Sequence, residues 1–221
     1  MDEGRRSEGT AVSGGGAEGA HSGILHYAKA VGSFWRSAIN DHVVEQARLR
    51  PGDLVVDIGA GLGPATVPAA RLGANVVAVD PSRVMRSGLH LRRVFQRSRD
   101  RIRVTGGTAE ELPVDTGSAD AVVSVNAMHH WSDMGAAVAE MGRVVRPGGR
   151  VVLLDEDFDH PDHLLEGVAK SHHENYPMVD PDVVTELLVK AGFGSVTPMR
   201  TSVADRPVIR ITAERATDET G

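Results

Sequence analysis

The run Leu54-Val55-Val56-Asp57-Ile58-Gly59-Ala60-Gly61-Leu62-Gly63-Pro64 narrows the folds open to this chain more than any other stretch. Its first half is a short apolar segment of the kind that forms a parallel strand covered on both faces. Glycine then recurs at alternate positions, permitting backbone angles and close approaches that a Cβ would block. Pro64 suits a first helical position, where its missing N–H is no loss. A strand, a glycine turn and a helix start together aim a helix N-terminus at whatever lies above the strand's carboxyl end, where open α/β sheets bind nucleotide-like ligands. The spacing is G-x-G-x-G. A dinucleotide fingerprint requires G-x-G-x-x-G, and its third glycine falls on Pro64. A carboxylate two residues before the first glycine suits a cationic ligand better than a pyrophosphate.

Composition sets outer bounds. The chain has 221 residues, 41% hydrophobic and 24% charged, with a formal net charge of −6. This is the size of one domain with a real core. The acidic balance argues against a dedicated nucleic-acid binder. The arginines from Arg92 to Arg103 read as the solvated face and tail of a helix. There is no cysteine, hence no disulfide framework and no thiolate metal site. No apolar run reaches membrane-spanning length, and the N-terminus lacks a signal-peptide core. The expectation is a cytoplasmic protein with no membrane and no nucleic-acid partner.

Residues 1–20, rich in Gly, Ser, Glu and Ala, and residues 216–221 are expected to be disordered tails. A single domain is expected over 21–215. Helical periodicity runs over about 24–49, and strands over 54–58, 76–79, 102–104, 119–125 and 151–154 alternate with helices over 65–72, 82–96, 134–145 and from Pro181 to Ala191. Arg146-Pro147-Gly148-Gly149 stops one helix before the fifth strand. Phe193–Val203 and Pro207–Ala213 are short of each other by only Ala204-Asp205-Arg206 and are expected to pair as a hairpin. The fold class is therefore α/β: a Rossmann-like three-layer sandwich with a mostly parallel seven-stranded sheet and an antiparallel edge strand from the C-terminal hairpin.

Four pieces fall at strand ends on one side of that sheet. They are the glycine turn, Asp80, the segment Gly107-Thr108-Ala109-Glu110-Glu111-Leu112-Pro113, and Asn126-Ala127-Met128-His129-His130-Trp131. Asp80 lies about 20 residues beyond the glycines, where an acidic side chain can accept from ribose hydroxyls; it could equally make an Asx turn with Pro81.

In this order and spacing, over residues about 54–157, the pieces resemble the class I S-adenosylmethionine-dependent methyltransferases, in particular their small single-domain, small-molecule group. The segment Arg143–Asp157 and the Ala191-Gly192-Phe193 turn also look like that family. The resemblance implies a cofactor, S-adenosyl-L-methionine, which leaves as S-adenosyl-L-homocysteine. It implies that Gly59, Ala60 and Gly61 hold the methionine part, with Asp57 near its ammonium. Asp80 would bind the ribose, and Pro81 and Met85 would lie near the adenine, although Met85 could also be plain core. Ala109 would offer its backbone N–H to the adenine, beside Thr108 and Glu110; many relatives carry an acid in place of Thr108. Asn126 would line the sulfonium end.

The implied reaction is in-line displacement of the methyl group onto a small-molecule acceptor, at oxygen or nitrogen in preference to carbon. A protonated acceptor needs a base near working pH, and histidine suits that task. His129 and His130 are the candidates, with helix initiation beside Trp131 as their ordinary alternative. A second polar cluster runs from Asp155 to His163 and through His172-His173-Glu174-Asn175-Tyr176. It is either an acceptor wall or a solvated acidic loop. It lacks an i, i+4 histidine pair, and metal-dependent catechol-type relatives carry Asp where this chain has Asn126, so no metal is expected. Segments 21–50, with Tyr27, Phe34 and Trp35, and 156–180 are expected to form the lid and acceptor side. A monomer or homodimer is expected. Other readings are a catalytically silent cofactor-binding partner protein, a protein or RNA methyltransferase, and a nicotinamide oxidoreductase, which Pro64 disfavours.

Overall fold

Apolar runs spaced by amphipathic ones become a parallel sheet between helices. The structure is a computed structural model that describes residues 38–161 and 178–217. The expected N-terminal tail, Tyr27, Phe34, Trp35, most of the 156–180 segment and residues 218–221 lie outside the described residues.

In chain order the described elements are α1 (Ala38–Gln46), β1 (Leu54–Ile58), α2 (Thr66–Arg71), β2 (Asn75–Val79), α3 (Arg83–Val94), β3 (Ile102–Thr105), β4 (Ala119–Val125), α4 (Met134–Val144), β5 (Val145–Glu156), α5 (Pro181–Lys190), β6 (Phe193–Val203) and β7 (Arg206–Arg215). Short 3₁₀ turns precede β3 and follow β4. The seven strands lie in the order β3-β2-β1-β4-β5-β7-β6. Strands β1 to β5 pair in parallel. The hairpin closes the far edge, and β7, inside β6, runs against both of its neighbours. The chain steps outward from β1 to β3 and then returns to place β4 on the other side of β1. That reversal opens a crevice beyond the carboxyl ends of β1 and β4.

Strand alternation assigns the two faces. Val56, Ile58, Val122, Val151 and Leu153 point to one face, where Ala137, Val138 and Met141 of α4 and Val184 and Leu188 of α5 cover them. Val55, Val123, Val152 and Leu154 point to the other, beneath Ile39 and Val43 of α1 and Val67 and Ala70 of α2. Helix starts follow the cap chemistry. Asp133 accepts from the Ala136 N–H at 3.0 Å, and Asp180 accepts from the Asp182 N–H at 2.9 Å with Pro181 opening α5.

Two local expectations change. Pro64 does not open its helix: α2 starts at Thr66, and Gly63 instead turns back to donate to the Ala60 carbonyl at 2.7 Å. The fifth strand begins at Val145 rather than Val151. Val145 pairs with Ala119, and the ladder resumes at Arg150 opposite Ala121 after a register shift. Asp120 stabilises this start by accepting from Arg146 at 2.6 Å and from the Leu54 N–H at 2.7 Å.

The hairpin turn is Ala204-Asp205, with φ of 50° and 61°, between the paired residues Val203 and Arg206. Both centres are left-handed, as a type I′ turn requires, yet neither is glycine or asparagine. Replacing Ala204 by Asn together with Asp205 by Gly should stabilise the protein by about 1 kcal/mol. Thermal unfolding should then shift upward by roughly 2–4 °C. An unchanged or lower midpoint would show that the turn carries no such cost.

Candidate active site

Loops leaving β1, β2, β3 and β4 enclose one cavity of about 460 Å³ at their carboxyl ends. Each wall has a local cause. Gly59 has φ +69°, and a Cβ there would stand 2.4 Å from the Ala127 side chain. Only glycine lets the loop after β1 meet the loop after β4. The Gly59 and Ala60 N–H groups both donate to the Val79 carbonyl, at 2.9 and 3.1 Å, which ties the turn to β2. At Gly61, φ +54°, the space a Cβ would occupy meets nothing nearer than 3.9 Å.

Asp80 joins two of these loops. One carboxylate oxygen accepts from the Gly61 N–H and the other from the Ser82 N–H, each at 2.8 Å. Arg86 grips the backbone from outside, donating to the carbonyls of Asp80 and Pro81 at 2.6 and 2.8 Å. A carboxylate so held keeps lone pairs for ligand hydroxyls.

Glu110 fixes the opposite wall. Its Oε1 accepts from Ser132 N–H and Oγ and from Asp133 N–H at 2.8–3.1 Å. Burial works to raise its pKa, but these bonds, with help from Thr108 and its own N–H, outweigh it and hold the carboxyl at about 2. Glu110 thereby fastens the β3 loop to the segment after β4.

Asn126 has φ +50°, unusual for a residue other than glycine. Its N–H donates to the Leu154 carbonyl at 2.8 Å and its Oδ1 accepts from the Glu156 N–H at 3.0 Å. These bonds hold the turn against its backbone cost. Three residues on, His129 is buried, with Nδ1 at 2.9 and 3.0 Å from the carboxylate oxygens of Asp155. Its Nε2 stands 3.0 Å from Nε2 of His130. With Asp155 accepting, His129 Nδ1 carries a proton, and one Nε2 of the two rings donates to the other. Burial and the neighbouring His129 lower the His130 pKa, against the pull of Asp155 and Asp80.

Ten of the expected residues border the cavity: Gly59, Gly61, Asp80, Pro81, Met85, Thr108, Ala109, Glu110, Asn126 and His130. Three stand behind it. Ala60 is buried beneath the turn, and His129 lies between His130 and Asp155. Asp57 shares the face of Val55, so its carboxylate turns under α2 and accepts from Thr66 Oγ1 at 2.5 Å. Ser82, Ala127, Trp131 and Ser132 also border the cavity. The partnership of Asp155 with His129 is new. Alternation along β5 places Asp155 on the face of Leu153, and that parity was the available signal. Asp155, Glu156 and Asp157 are not a solvated loop: all three are buried, the latter two against Arg206 and Arg200. His163 and residues 172–176 lie outside the described residues. No cluster of metal-ligating side chains occurs among the described residues.

Burial pushes the Asp57 carboxyl up to about 7; Thr66 opposes the rise and Asp80 adds to it. The folded protein then holds a proton that the unfolded chain releases near pH 3.8. Stability should therefore fall as pH rises from about 4 to 7 and level off above, with up to a few kcal/mol at stake. Asp57→Asn should flatten this slope in urea denaturation. A slope that survives the substitution would assign it to another group.

The methyltransferase domain family matches residues 56–153. An uncharacterized methyltransferase of Mycobacterium tuberculosis is 41% identical over 100 residues, 45% of this chain and 38% of that protein. A demethylmenaquinone methyltransferase of Mycolicibacterium gilvum is 38% identical over 145 residues, 66% of this chain and 56% of that protein. The chain thus spans about half or less of the length of these relatives. Among solved structures, a geranyl diphosphate methyltransferase in complex with SAM superposes with a TM-score of 0.66 at 18% identity, covering 81% of this chain and 85% of that one. This last likeness is one of fold.

Proposed function

We propose that the chain is a class I S-adenosylmethionine-dependent methyltransferase, a reading that the methyltransferase domain family over residues 56–153 supports, and that it binds S-adenosyl-L-methionine in the cavity and transfers its methyl group to a small-molecule acceptor. The observation that carries this reading is Asp80. Its two carboxylate oxygens are fixed by backbone N–H groups at 2.8 Å on the wall of a cavity that the open side of Gly61 deepens. This is a fit for a ribose beside a slender, cationic chain. Met85, Pro81 and Ala109 offer the adenine an apolar slot, and Thr108 an acceptor hydroxyl. Asp57, beneath the turn, favours a cation only where it is ionised, above about pH 7.

When bound, the cofactor supplies an activated methyl group on a sulfonium. The protein's task is then orientation, which contributes roughly 7–11 kcal/mol when geometry is near attack. Acceptors at oxygen or nitrogen also carry a proton, and His130 is the base at the cavity wall. Its lowered pKa keeps it neutral, hence basic, at and above its ordinary pKa of 6.5. His129 and Asp155 orient it from behind. A carbon acceptor is the second reading, favoured by the relative named demethylmenaquinone methyltransferase. A cytoplasmic monomer or homodimer is part of the same proposal. Among the described residues no helix is long and apolar enough to cross a membrane.

Titration of S-adenosyl-L-methionine into the purified protein tests the site. Asp80→Ala should weaken binding roughly 10- to 100-fold, the value of a charge-assisted hydrogen bond. If the wild type fails to bind at about millimolar concentration, a weak-affinity limit for such ligands, the reading is wrong. For the base, His130→Ala should lower kcat about 10²- to 10³-fold with cofactor affinity kept. Turnover unchanged by this substitution across roughly pH 6 to 9, the range in which a histidine base titrates, would remove His130 from the mechanism.

A further inference from the structure

Helix α3 presents an apolar row to solvent. Val84 is 77% exposed, Leu91 65%, Val94 58% and Phe95, its C-cap, 77%. At 3.6 residues per turn these four fall within an arc of about 100°. Leu89, on the opposite side, is the helix's fully buried anchor. Leu91, Val94 and Phe95 adjoin on this arc, with Val84 two turns away beyond Ser87, and adjoining exposed apolar surface marks an interaction site.

The charge around it is distinctive. Residues 83–103 hold eight of the chain's 24 basic residues and one of its 30 acids, in a chain of net charge −6. Arg83 and His90 flank the apolar row, and Arg97 and Arg99, both exposed, follow Phe95. Arg71 joins that end through a 2.8 Å bond to Gln96. Arg86, Arg93, Arg101 and Arg103 bond carbonyl or amide oxygens, which orient the guanidinium groups without cancelling their charge. An acidic protein has thus gathered a third of its cations around a helix with an exposed apolar row.

We propose that this surface docks the protein on an anionic membrane, with the apolar row entering the headgroup boundary and the arginines meeting lipid phosphates. A second copy is a poor occupant, because pairing this face with itself would set arginine against arginine. A nucleic acid would use the cations but leave the aliphatic row in water. Ser82 and Met85 border the cavity on either side of Val84, so docking sets the cavity's rim at one end of the membrane-facing helix. The proposal does not depend on the reaction assigned to that cavity.

The test is co-sedimentation of the full chain with vesicles of phosphatidylcholine alone, or with about one-third phosphatidylglycerol. The wild type should pellet with the anionic vesicles and stay in solution with the neutral ones. Leu91→Gln with Phe95→Gln, and separately Arg97→Glu with Arg99→Glu, should each weaken binding about tenfold. Thermal unfolding should match wild type in both, since these side chains are exposed. Three results overturn the proposal. One is no binding to either vesicle. Another is binding that the Leu91/Phe95 variant retains in full. The third is a wild-type dimer in sedimentation velocity that the same variants dissolve without any vesicle binding.

Discussion

The carboxylate of Asp80 holds the cavity together. It bridges the glycine turn after β1 and the start of α3 after β2 through two backbone N–H groups. Without it, the Gly61 and Ser82 N–H groups would lose their acceptor, and only the bonds from Gly59 and Ala60 to the Val79 carbonyl would tie the turn to the second strand. Both donors are half-buried at the cavity wall, where water can reach them, so the loss would be nearer the roughly 1 kcal/mol of a typical hydrogen bond each. The same carboxylate faces the cavity. One group thus both shapes the site and recognises what enters it, so structural and binding roles cannot be separated by a single truncation.

Around this bridge the site is built from loops of four strands, each fastened to its neighbour by a different kind of bond. Gly59 and Ala127 meet by close packing. Glu110 fastens the third loop to the fourth through three hydrogen bonds from Ser132 and Asp133. Asn126 anchors the fourth loop to β5 through its own backbone and side chain. The sheet underneath is rigid because every central strand is covered on both faces. Such loops are positioned by packing that lies well away from the chemistry.

Acidic groups are treated in three ways within one sheet. Asp57 is buried with a hydroxyl partner and keeps its proton readily. Glu110 is surrounded by donors and loses its proton readily. Asp155 and Glu156 end β5 and Asp157 follows, and each meets its own cation or imidazole: His129, Arg206 and Arg200. Two carboxyl groups with opposite pKa shifts, on β1 and in the loop after β3, show that environment, not residue type, sets their chemistry.

Much of this was legible in the chain. The apolar runs, the caps and the Gly-Pro breaks announced a parallel sheet with a terminal hairpin, because alternation and capping are local and act over a few residues. The strand-end pieces from Gly59 to His130 could be grouped because a parallel sheet brings all carboxyl ends to one side. Side-chain direction was not local in the same sense. Whether Asp57 faced the cavity or the underside of α2 depended on the face on which β1 was buried. Whether His129 and His130 stood alone depended on the distance to Asp155, 26 residues on. Likewise the sequence marked Arg92 to Arg103 as basic, but only packing decided that Leu91 and Phe95 would stand in solvent while Leu89 was covered. Strands and turns follow from neighbours in sequence. Which face a carboxylate, an imidazole or a leucine meets follows from neighbours in space.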